Sequence, residues 1–128
     1  MWFLKASIAI FFVLVMVMTV GCSSEPEPEL SYEAHIKPIL KKHCYECHLV
    51  GGKGYEASGF LMDSYDNFMK GTKFGEVIIP GSAITSTLYL LVAGKTDLSI
   101  RMPHGQFPLP ERQVEMIKTW IDQGAKNN

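Results

Sequence analysis

Five consecutive residues, Cys44-Tyr45-Glu46-Cys47-His48, constrain this chain more than anything else in it. Two thiols three residues apart lie on one side of a helical turn, and an imidazole follows directly. Two of the chain's three cysteines are in this segment. Three cysteines cannot all pair within one chain, so at least one does something other than close an internal disulfide. The chain has 128 residues, enough for one domain of ordinary size. Its 12 Lys and Arg stand against 13 Asp and Glu, a net charge of −1. That balance makes no electrostatic case for binding nucleic acid.

The CxxCH spacing is that of covalent haem attachment. Cys44 and Cys47 can each form a thioether to a vinyl group, and His48 follows closely enough to ligate iron. Other chemistries use a bare CxxC. A thioredoxin-type redox pair wants a βαβ context, and no strand alternation is visible. A zinc site wants further ligands, and only His35, His43 and His104 remain, with Cys22 far off in sequence. A Cys44–Cys47 disulfide leaves His48 without a role.

The N-terminus carries one cation, Lys5, and then an unbroken apolar run from Ile8 to Met18. A basic start, a short apolar stretch and small residues at its end describe an export signal over residues 1–21. The run is shorter than the roughly 18–20 apolar residues of a membrane span. An uncleaved anchor and a buried core helix are the competing readings. The second fails on position, because an acidic Pro-rich stretch comes immediately after. Thr19-Val20-Gly21-Cys22 resembles a bacterial lipobox, although Thr19 stands where an aliphatic residue is usual. That resemblance implies that Cys22 is lipidated and tethers the chain to a membrane, with two or more acyl chains needed for stable anchoring. The alternative is an ordinary signal followed by a free Cys22. Residues 22–30 alternate Glu and Pro and read as a semi-extended tether, on the order of 3.1 Å per residue. A loop packed on the domain is the alternative. The folded unit is expected over residues 31–126.

Within it the periodicity predicts short helices joined by long loops. Ser31 caps a first helix running to about Cys44, with an Ile36, Ile39, Leu40 stripe and Pro38 placed to kink or start it. Residues 49–60 hold four Gly and read as loop. A second helix is expected from Tyr65 to Lys70, capped by Asp63 or Ser64 and ended by Gly71. A third runs from about Ser86 to Ala93, and Lys95 to Leu109 should be irregular around Pro103 and Pro108. The last begins at Pro110, turns Val114, Ile117, Trp120 and Ile121 one way, and ends at Gly124. The class is all-α. Loops this long in a small domain need an organising centre, which is a reason to expect a cofactor.

The sixth iron ligand must come from elsewhere. Met62 and Met69 flank the second helix and Met116 lies beside the last apolar stripe, where packing is the ordinary role. His35 and His43 precede the motif on its own helix, and His104 is the main rival. Met102 is the best placed. Pro103 disfavours helix at Met102, and Pro108 and Pro110 stiffen the chain beyond it, so a thioether there can be aimed at one face of a ring.

Taken in order, these pieces resemble a class I cytochrome c, and more specifically the planctomycete-type cytochrome c domain of exported bacterial proteins. The resemblance rests on Ile36-Lys37-Pro38-Ile39-Leu40, the CxxCH segment and Ile79-Pro80-Gly81 with Ser86-Thr87-Leu88-Tyr89. Arg101-Met102-Pro103 and Trp120-Ile121-Asp122-Gln123-Gly124-Ala125 complete it. It implies a small helical fold around one covalent haem c, His48 and Met102 as axial ligands, and electron transfer between redox partners in the periplasm. Trp120 and Ile121 are then expected to wall the haem. Leu49 departs from the Gly often found after the motif. No side chain nearby is an obvious partner for the second ring nitrogen of His48, and a backbone carbonyl could serve. Two other functions stay open: a haem-based sensor with an open sixth position, and an interaction lipoprotein using CxxCH for zinc or a disulfide.

Overall fold

The computed structural model describes residues 27–128. The expected export signal, Cys22 and the beginning of the tether lie outside the described residues. Helix formation begins at Ser31, whose Oγ accepts from the Ala34 amide at 3.1 Å. His35 answers by accepting the Ser31 amide on Nδ1 at 2.8 Å. Each side chain thus satisfies an amide that a helix start would leave without a partner.

Pro38 shapes the join between the first two helical segments. It has no amide hydrogen, so the chain widens ahead of it into a π-helical turn, Tyr32–Ile36, which runs directly into α1, Lys37–His43. The motif forms its own short helix, α2 (Tyr45–His48), after Cys44 leaves helical geometry. Then come α3 (Lys53–Ser58), α4 (Tyr65–Lys70), a 3₁₀ turn (Ala83–Thr85) and α5 (Thr87–Val92). A second 3₁₀ turn (Leu98–Ile100) precedes α6 (Glu111–Asp122). No strand occurs among the described residues; an isolated bridge joins Thr72 and Gly75. The fold is all-α, as the periodicity implies.

Two expectations need correction. Residues 49–60 are not all loop, because Lys53–Ser58 is helical and Gly59 ends it at a φ of +71°. Pro110 is not the first helical residue. Its ψ of 138° makes it the residue before the helix, which starts at Glu111.

The core is aromatic. Trp120 and Phe68 are fully buried and stack with ring centroids 6.1 Å apart. Tyr32 packs on Trp120 at 5.7 Å and meets Tyr65 edge-on at 5.1 Å. Each such pair adds about 0.5–1.5 kcal/mol beyond its buried area. The helical stripes supply Ile36, Leu40, Ile117 and Ile121 around them. Trp120 and Ile121 are therefore interior residues of the helix packing.

The connection into α5 is fastened by polar atoms. Ser86 is the buried polar residue of the core; its Oγ accepts from Ile79 and donates to Ser82, each at 2.8 Å. The Gly81 amide reaches the Ile121 carbonyl at 2.8 Å, and the Ala83 amide reaches Asp122 Oδ1 at 2.7 Å. The Pro80-Gly81 turn is thus held to the end of α6.

Residues 28–33 and 123–128 meet at the same place. The Leu30 amide donates to Gln123 Oε1 at 2.8 Å, and Gln123 Nε2 donates to the Pro28 carbonyl at 3.2 Å. Asn128 accepts from Ser31 Oγ, and from the Tyr32 and Glu33 amides. Residues 28–30 therefore lie against the domain, and the folded unit extends past residue 126 to Asn128.

The Ala83 amide, followed by Lys118, holds the Asp122 carboxyl below its ordinary range. Because the folded value is the lower one, this contribution is complete above the unfolded value of about 4 and is lost as pH falls through the folded value. Asp122→Asn should lower the neutral-pH urea midpoint and flatten its acid limb below about pH 4, measured by urea melts from pH 6 downward.

Candidate functional site

Cys44, Cys47 and His48 share one turn. The Cys47 and His48 amides both donate to the Cys44 carbonyl, at 3.1 and 3.0 Å. Both thiols are free and half-buried. Burial, with the neighbouring Cys47 adding to it, pushes the Cys44 thiol up to about 12. The neutral thiol is the stable form there.

His48 is held more firmly than its position in a short helix suggests. Its Nδ1 lies 3.2 Å from the Phe60 carbonyl. A carbonyl only accepts, so Nδ1 carries the hydrogen and Nε2 keeps its lone pair. The Phe60 ring also meets the imidazole edge-on, with centroids 5.4 Å apart. Burial lowers the affinity of His48 for a proton, partly opposed by the Phe60 hydrogen bond. The imidazole is neutral near pH 7, the form that coordinates a metal.

Phe60 is placed by the segment read as loop. Ser58 Oγ donates to the Gly54 carbonyl at 2.6 Å and accepts from the Phe60 amide at 3.2 Å. The Met62 amide then donates to the His48 carbonyl at 2.9 Å. Gly52 permits the return path: a Cβ there would stand 2.5 Å from the Cys47 carbonyl oxygen.

Met102 enters from a separate segment. Its amide donates to the Leu91 carbonyl at 3.3 Å, which ties it to the end of α5, and its side chain packs half-buried against the core. Leu98, Ile100 and Phe107 around it are exposed, Phe107 by 93%. A cleft of about 180 Å³ opens beside it, lined by Leu98, Arg101, Pro103, His104, Gln106 and Pro108. Of the other candidates, Met69 and Met116 are half-buried as Met102 is, and His104 lines the same cleft. Met62 is core at 2% exposure, and Met69 and Met116 pack against the core. His35 caps the first turn, and His104 is exposed. Among the described residues, no three His, Cys, Asp or Glu converge as a metal-binding cluster.

These residues fit a covalently held haem. Two free thiols and an available Nε2 share one turn. The Met102 segment presents apolar side chains with nothing of the protein over them. His43, directly before Cys44, has a buried Nε2 without a partner in the protein.

Residues 44–104 match the family model for planctomycete cytochrome C. The match starts at Cys44 and takes in Met102. No curated protein and no solved structure matches the chain.

Sequence reading missed the Phe60 carbonyl and the Ser58 brace. A backbone acceptor carries no residue signature. Ser58 two residues before an aromatic was the available signal. Ser58→Ala should cost about 1 kcal/mol in urea unfolding and move the His48 Nδ1 proton resonance, because the Phe60 amide loses its anchor.

Proposed function

We propose that this protein, whose residues 44–104 match the family model for planctomycete cytochrome C, is a haem-binding cytochrome and a monohaem electron carrier. It is tethered to a membrane through Cys22 and passes single electrons between redox proteins of the periplasm. One CxxCH motif in the chain supports one haem c. Cys44 and Cys47 would hold it through thioethers, with His48 and Met102 as the axial ligands. When bound, the haem supplies a reversible one-electron couple.

The rest is the work of the chain. The Phe60 carbonyl keeps the His48 proton on Nδ1 and so keeps Nε2 directed to coordination; this is the observation that carries the proposal. The Met102 thioether, a neutral and polarisable donor, favours a relatively high potential when paired with His. Leu98, Ile100 and Phe107, which stand exposed in the protein, would be available to pack on the bound haem. With both His48 and Met102 holding the haem, no position would be left for substrate, in keeping with a carrier. No helix among the described residues is long and apolar enough to cross a membrane; the tether is proposed from the lipobox-like Thr19-Val20-Gly21-Cys22.

Protein matured on the oxidising side should be red, with a reduced haem c spectrum and the mass of one haem per chain. Met102→Ala should abolish the Met–iron charge-transfer band, and the parent protein should resist carbon monoxide when reduced. Rapid carbon monoxide uptake by the parent protein would favour the sensor instead. Mass spectrometry of the mature N-terminus should find an acylated Cys22.

A further inference from the structure

We propose that Gly54 is a positioning residue for the axial imidazole, through the absence of its side chain. The inference rests on the haem reading above. Gly54 is the second residue of α3, in helical backbone that any residue can adopt. Glycine is a poor choice at such a place, because it is among the weakest helix formers. No turn or positive φ requires it. What requires it is the motif turn, the His48 ring together with the Cys47 carbonyl. A Cβ on Gly54 would stand 2.7 Å from the imidazole Cε1 and 2.9 Å from Nε2, closer than carbon and nitrogen can approach. It would also stand 2.9 Å from the Cys47 carbonyl oxygen.

The imidazole has little freedom to give way. Its Nδ1 edge is held by the Phe60 carbonyl, and the Phe60 ring lies across it. Those contacts act from the side opposite the coordinating nitrogen. Gly54 acts at the Cε1–Nε2 edge, where the metal bond forms. The Gly54 carbonyl is itself fixed by Ser58 Oγ at 2.6 Å, the same hydroxyl that receives the Phe60 amide. One serine therefore sets both walls between which the ring stands. A methyl group at position 54 has to turn the ring or push α3 away. Either result changes the angle of the imidazole plane about the iron–nitrogen bond.

Gly52 offers the comparison. A Cβ there meets backbone alone, the Cys47 carbonyl at 2.5 Å and the Glu46 carbonyl oxygen at 2.9 Å. It should disturb the loop without addressing the ring edge.

The test uses matured holoprotein. Proton NMR of the parent protein should show a nuclear Overhauser contact between the Gly54 α-protons and the His48 ε1 proton. Gly54→Ala should shift the g-values of the low-spin ferric spectrum and the hyperfine-shifted His48 signals. Gly52→Ala should lower thermal stability and leave those signals in place. A missing Overhauser contact in haem-loaded protein overturns the proposal, whether or not either variant folds. Unchanged g-values in Gly54→Ala, or equal shifts in both variants, overturn it as well. Protein that matures without haem c refutes the cytochrome reading instead, so the two failures are distinct.

Discussion

Phe60 joins the two halves of this structure. Its carbonyl holds the His48 Nδ1, and its ring stands across the same imidazole. The same ring stacks on Phe68 at 5.7 Å, and Phe68 stacks on Trp120. The His48 side chain is therefore continuous with the most deeply buried residues of the fold. A short helix such as Tyr45–His48 could not fix an imidazole by its own hydrogen bonds, since four residues barely close one turn. The rigidity comes from the aromatic core through one residue that the chain delivers twelve positions after the motif.

The range of each interaction decides how legible it was in the sequence. Cys44, Cys47 and His48 could be read because their chemistry depends on local spacing. Helix α4 could be read because Ser64 and Gly71 bracket it. Helix α3 could not, because its stability comes from contact with the motif and not from its composition. Glycines at 52 and 54 look like loop residues in isolation. In the fold they are the places where α3 comes closest to the motif. The partner of His48 was invisible for a related reason: a carbonyl is present at every position, and only the path of the chain selects Phe60.

Met102 shows the intermediate case. The neighbouring prolines single it out among the methionines; in the structure Met62 is core, while Met69, Met116 and Met102 itself all pack partly buried against it. Its segment has little internal hydrogen bonding, apart from the Asp97 side chain capping the 3₁₀ turn and the link from Met102 to Leu91. Leu98, Ile100 and Phe107 stand exposed on this segment, with nothing of the protein over them.

The clasp between residues 28–33 and 123–128 gives the domain a mechanical character. Its two ends are fastened to each other by Gln123, Asn128 and the Glu29–Lys126 ion pair. A pull on the chain ahead of Pro28 first loads those contacts at the end of α6. The π-helical turn and the motif lie beyond them along the chain. The clasp works as a strain relief, like the collar where a cable enters a plug: tension is taken up at the rim before it can reach the turn that carries His48.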